Sequence, residues 1–151
     1  MPATNRTSKV APKTAALFSE EERAAMREAV RERKARPSGG KVDGESEVRA
    51  KISQMHGSDR AMAERLHAIV RTNAPTLGSK TWYGMPAYTK DGQVLCFFQP
   101  AEKFKLRYAT LGFSDEANLD DGCMWPVTFA LTELGAKEEA VIVNLLKKAL
   151  G

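Results

Sequence analysis

The chain has 151 residues, 42% of them hydrophobic and 28% charged, enough for one packed core of ordinary size and too few for a second large domain. No run approaches the roughly 20 apolar residues that cross a bilayer, and the first thirty residues carry charges where a secretory leader needs an apolar stretch, so a cytoplasmic protein without a membrane partner is expected. The net charge of +4 is uneven: residues 1–41 hold ten Lys or Arg against five Glu, and residues 42–151 hold thirteen against fourteen acidic side chains. The basic character belongs to an N-terminal arm, which is thin support for a nucleic-acid-binding fold.

Residues 1–18 are Thr, Ser, Pro, Lys and Ala without periodicity, the composition of a disordered tail. A basic arm helix is expected over 19–36. Ser19 and Glu22 have the spacing of a capping box, Glu20, Glu21 and Glu22 suit the positive end of a helix dipole, and Arg31, Arg33, Lys34 and Arg36 suit the negative end. Its apolar pair, Met26 and Val30, is a narrow stripe, so a solvated or weakly packed helix is expected. Pro37-Ser38-Gly39-Gly40 opens a linker over 37–41, and the domain proper is expected over 42–151.

Within that domain Val48, Ile52 and Met55 fall at helical spacing. A second helix opens at Ser58-Asp59 and runs to about Asn73, burying Met62, Leu66, Ile69 and Val70. Arg60, Glu64, His67 and Arg71 form its opposite stripe, which turns His67 toward water. His56 lies in the break between the two helices, so the histidines do not form an i, i+4 metal-binding pair.

After Pro75 the period changes. Residues 85–90 and 93–98 flank Asp91-Gly92, the pattern of a β-hairpin with a two-residue turn. Residues 104–110 alternate as a half-exposed strand should, which would set Lys103, Lys105 and Arg107 in one cationic row. Val127, Phe129 and Leu131 read as a further short strand. Residues 138–150 close the chain as a helix that buries Val141, Ile142, Leu145, Leu146 and Ala149. With no alternating βαβ order, the expected fold class is α+β: a small antiparallel sheet with helices packed on one face, behind the basic arm.

Cys96 and Cys123 stand far apart with no CxxC partner, and buried free thiols are expected. The chain lacks a phosphate-binding glycine loop, HExxH and GxSxG, so the leading reading is a non-enzymatic binding module. Trp and Tyr combine apolar area with a hydrogen-bonding tip, and they concentrate in residues 81–88. The expected cleft is lined by Trp82, Tyr83, Met85, Pro86, Tyr88 and Phe98, with Lys105 as an anion partner. Its ligand would be a small molecule or a protein.

Two alternatives use other residues. Asp115, Glu116, Asp120 and Asp121 gather carboxylates that suit a hard cation such as iron, although Asp121 and Val127 stand where an EF-hand counted from Glu116 needs Gly and Glu. Arg31, Arg33, Lys34 and Arg36 would hold nucleic acid through its phosphates.

The run Trp82-Tyr83-Gly84-Met85-Pro86-Ala87-Tyr88, the hairpin ending in Val94-Leu95-Cys96-Phe97-Phe98, residues 104–113 and the closing helix together resemble the YdhG-like family, domain of unknown function 1801. The resemblance covers about residues 42–150, and its most specific element is Tyr83-Gly84-Met85-Pro86. It implies an α+β fold with an antiparallel sheet and no catalytic residues to carry over. One branch of the family is described as a frataxin-like intracellular iron chaperone. Relatives often carry a histidine just after the lysine before the third strand, where this chain reads Lys103-Phe104-Lys105.

Overall fold

The computed structural model describes residues 19–35 and 44–151, so the tail expected over 1–18 and the linker over 37–41 lie outside it. Among the described residues four helices and five strands follow in the order α1 (Glu20–Ala35), α2 (Glu45–Ser53), α3 (Gly57–Asn73), β1 (Gly78–Trp82), β2 (Met85–Lys90), β3 (Gln93–Gln99), β4 (Ala109–Phe113), β5 (Thr128–Leu131) and α4 (Ala136–Leu150). The strands form one antiparallel sheet in sequence order. This is the α+β class expected from the element order. No helix among the described residues is long and apolar enough to cross a membrane.

The core lies on one face of the sheet. There Tyr88, Cys96, Phe98, Leu111 and Phe113 meet Val48 and Ile52 of α2, Met62, Leu66 and Val70 of α3, and Ile142 and Leu146 of α4. These helical residues recur at the 3.6-residue period, so each helix turns one apolar stripe inward. Two tight turns set the strand pairing. Asp91-Gly92 and Tyr83-Gly84 both have positive φ at both positions (51° and 80°, 54° and 75°), the type I′ geometry whose twist matches that of the flanking strands. The first was legible from its Asp-Gly pair; the second, and with it β1, was not.

The strand expected over 104–110 is corrected. Residues 101–108 form a turn segment, and β4 begins only at Ala109, with all five of its residues buried. The buried carboxylate of Asp59 accepts the backbone N–H groups of Ala101 (3.1 Å) and Glu102 (2.9 Å), and Leu106 N–H returns to the Ala101 carbonyl (2.8 Å). These amides are spent on Asp59 and within the turn, and Lys105 takes φ 54° to complete it. The alternation of aromatic and cationic residues there reflects a turn with one apolar side.

Helix α1 opens with the capping box that its sequence announces: Ser19 N–H donates to Glu22 Oε1 (2.9 Å) and Glu22 N–H to Ser19 Oγ (3.1 Å). It packs by a different face from the one expected. Ala25 and Ala29 are buried, whereas Met26 and Val30 are 37% and 43% exposed. Small side chains let the helix approach closely, and its carboxylates supply the ties. Glu28 accepts from Lys51 Nζ (2.5 Å) and Lys103 Nζ (2.8 Å), Glu32 accepts the N–H groups of Tyr83 (3.2 Å) and Gly84 (3.3 Å), and Glu21 pairs with Lys105 (3.3 Å).

A candidate binding groove on the outer sheet face

The face of the sheet turned away from the core carries Trp82, Met85, Ala87, Phe97 and Gly112. The register makes this explicit: Trp82 lies opposite Met85, Ala87 opposite Phe97, Phe97 opposite Gly112, and Gly112 opposite Thr128. Facing residues in antiparallel strands point to the same side. Gly112 is required by close approach, because a Cβ there would collide with the Phe97 ring. Phe97 therefore lies flat across β4 and packs on Trp82 at 5.2 Å between ring centroids; Trp82 in turn meets Tyr83 edge-on at 5.0 Å.

This aromatic floor opens into a groove of about 660 Å³. One wall is the first two turns of α1, with Glu22, Ala25 and Met26; the other is the turn segment, with Phe104 and the 44% exposed Leu106. Gln99, Thr110 and Thr128 add polar groups at the far end of the floor. Gly84 belongs to the architecture of the rim. Its φ of 75° favours glycine, and a Cβ would strike Lys103 Nζ and the Glu28 carboxylate, which are paired against the turn.

Of the expected cleft residues, the structure brings together Trp82, Tyr83 and Met85. Pro86, Tyr88 and Phe98 lie on the opposite face, fully buried in the core. Lys105 stands outside the groove lining, paired to Glu21, and the row with Lys103 and Arg107 does not form because the strand does not. Phe97, Phe104, Leu106 and Met26 were missed. Alternation alone separates Met85 from Tyr88, three residues on in the same strand, and was the available signal. A bulge at Tyr88/Thr89 shifts the β2–β3 register by one residue, so that Ala87 faces Phe97. An unbroken two-residue hairpin would place Ala87 opposite Cys96 and turn Phe98 to the groove side.

His67 corrects a second expectation. It is buried, because α2 closes over that side of α3. Its Nε2 donates to Glu45 Oε2 (2.7 Å), and its Nδ1 lies within hydrogen-bonding distance of the Tyr88 hydroxyl (2.9 Å). Glu45 also accepts from Arg49 Nε (2.8 Å) and Ser79 Oγ (3.1 Å). Burial works against the Glu45 charge, but the hydrogen bonds from His67 and Arg49, the charge of His67 and the Ser79 hydroxyl outweigh it and hold the carboxyl at about 2. Burial pushes the Cys96 thiol up to about 12 and raises the Tyr88 hydroxyl, the latter assisted by Cys96. Both stay protonated at neutral pH, and the network holds α2, α3 and the sheet together. Cys123 is exposed, against the expectation that both thiols are buried.

The carboxylates of Asp115, Glu116, Asp120 and Asp121 are exposed along a loop that Ala117 and Leu119 anchor to the core. Among the described residues no three His, Cys, Asp or Glu are grouped to hold a metal ion. Arg31 is exposed on α1, Arg33 and Lys34 fall in the last turn of that helix, and Arg36 lies outside the described residues.

Fold and groove together define a class: among the described residues, a mixed α+β domain with a single antiparallel sheet, α2, α3 and α4 on one face and an apolar groove walled by α1 on the other. Compared with known proteins, the chain matches no family model, no curated protein and no solved structure.

Proposed function

We propose that the chain is a non-enzymatic binding module that holds a small, largely apolar molecule in the groove between α1 and the outer sheet face. The observation that carries this reading is the convergence of Trp82, Met85, Phe97, Phe104 and Leu106, from β1, β2, β3 and the turn segment, around about 660 Å³. Ligand pockets of roughly 300–1,000 Å³ with an apolar lining and few polar groups are the usual form of such sites. A flat ring is favoured, since Trp82 and Phe97 offer stacking faces, and Gln99, Thr110 and Thr128 would orient one polar end.

The titratable groups that burial perturbs, Glu28, Glu45, Tyr88 and Cys96, do not line the groove, which supports binding over catalysis. The YdhG-like resemblance is part of the proposal: Tyr83-Gly84-Met85-Pro86 would serve in this chain as the turn that places Trp82 and Met85 on one floor. The test is native mass spectrometry of the protein as purified from cells. A retained small molecule that is lost in Trp82→Ala and Phe97→Ala variants of unchanged circular dichroism is the expected result. Retention by both variants would place the ligand elsewhere and overturn the reading.

A further inference from the structure

On the helical side of the sheet, α2 and α3 leave a cavity of about 530 Å³. Its wall carries three guanidinium groups, Arg49 from α2 and Arg60 and Arg71 from α3, against one carboxylate, Glu64. Arg60, Glu64, His67 and Arg71 fall at successive three- and four-residue spacings, so the helix presents them as one stripe.

The donors are only partly used. Arg49 Nε is held by Glu45 (2.8 Å), Arg60 Nε by Glu64 (3.1 Å) and Arg71 Nη2 by the Leu77 carbonyl (2.5 Å). Each guanidinium has five N–H groups, so these bonds leave most of the fork of every arginine to offer. Arg71 Nε is buried without a hydrogen-bond partner among the described residues. The nearby carboxylates do not answer this excess. Glu45 is engaged by His67 and Ser79 as well as Arg49, and Glu64 pairs with Arg60 at the exposed surface, where an ion pair is easily exchanged. His67, with both ring nitrogens occupied, offers only its ring face.

We propose that this cavity binds a phosphate group, held by Arg49, Arg60 and Arg71. Forked, permanently charged donors match the paired oxygens of a phosphate, and against the carboxylates of Glu45 and Glu64 the three guanidinium groups leave one net positive charge to meet a phosphate anion. The volume exceeds that of phosphate alone, and Ile52 and Ala68 on the wall would accommodate the organic part of a monoester. The site is separate from the outer groove and does not depend on it.

The experiment is calorimetric titration of the full chain with inorganic phosphate and, separately, phenyl phosphate, with chloride of equal ionic strength as the control. Saturable binding in the millimolar range or tighter is expected. Arg49→Gln and Arg60→Gln, both at solvent-facing positions, should each weaken it about tenfold, the loss of one charge-assisted contact. Amide shift changes should fall on α2 and α3 and spare the outer sheet face. Tighter binding of phenyl phosphate would identify a monoester as the ligand, and equal affinity would identify free phosphate. No saturable heat with either anion, or binding that the Arg49→Gln/Arg60→Gln double variant retains in full, would overturn the assignment.

Discussion

Replacing Glu45 by Gln removes one negative charge from the point where Arg49, His67 and Ser79 all donate. The carboxyl is held at about 2 against an ordinary 4.5, and its side chain is 22% exposed, so solvent screens it only in part. At about 1.4 kcal/mol for each tenfold change in proton affinity, this corresponds to about 3 kcal/mol of stability. The sign follows from the depressed value. The contribution is complete above about pH 5.5, where the unfolded carboxylate is also ionised, and is lost as pH falls toward 2; by about pH 3 roughly 2 kcal/mol has gone. Glu45→Gln should therefore be destabilised by about 3 kcal/mol at neutral pH and by only about 1 kcal/mol near pH 3. Urea unfolding at both pH values reads the difference as a shift in midpoint at unchanged slope. A gap that stays constant with pH, or one well under about 1 kcal/mol at neutrality, would refute the argument that charge at this junction ties α2 to α3 and the sheet.

Gly112→Ala should destabilise the domain by about 1–3 kcal/mol, because the new methyl group must displace the Phe97 ring, and the same displacement should weaken ligand retention in the groove. A melting temperature equal to that of the parent protein would contradict the close packing described. Glu28→Gln should loosen α1 while sparing the sheet, seen as faster amide exchange over residues 20–32 with β2 and β3 unchanged. Burial opposes the Glu28 charge, yet the Lys103 and Lys51 contacts prevail and lower its carboxyl. The tie is therefore present above the ordinary carboxylate range and is lost as pH falls below it, and acid should reproduce the effect of the substitution.

Much of the chain is legible from local pattern. Apolar residues at helical spacing mark α2, α3 and α4, Ser19 and Glu22 announce the start of α1, and Asp91-Gly92 marks the central hairpin, because each rests on interactions within a few residues. The element order then sets the α+β class. Errors gather where a distant group decides. Residues 101–108 alternate like a strand, yet Asp59, more than forty positions earlier, takes the amides at their start. His67 lies on the polar stripe of its own helix, and only the position of α2 buries it.

The groove shows the same division at the level of single side chains. Sequence by itself determined that a cluster of aromatic residues lies around Tyr83-Gly84; it grouped Tyr88 and Phe98 with Trp82 and Met85 in one cleft, whereas the pleat of the strands divides them between two faces. Which aromatic residues share a face was decided by the bulge at Tyr88/Thr89, which slips the register by one and puts Phe97 on the floor in place of Phe98. What covers that floor was decided by α1, which meets the domain through Ala25, Ala29 and its glutamates and leaves Met26 at the rim of the groove. The physical reason is the range of the forces involved: local propensity and turn chemistry act over a few residues, whereas register, burial and charge pairing depend on which segments the whole fold brings into contact.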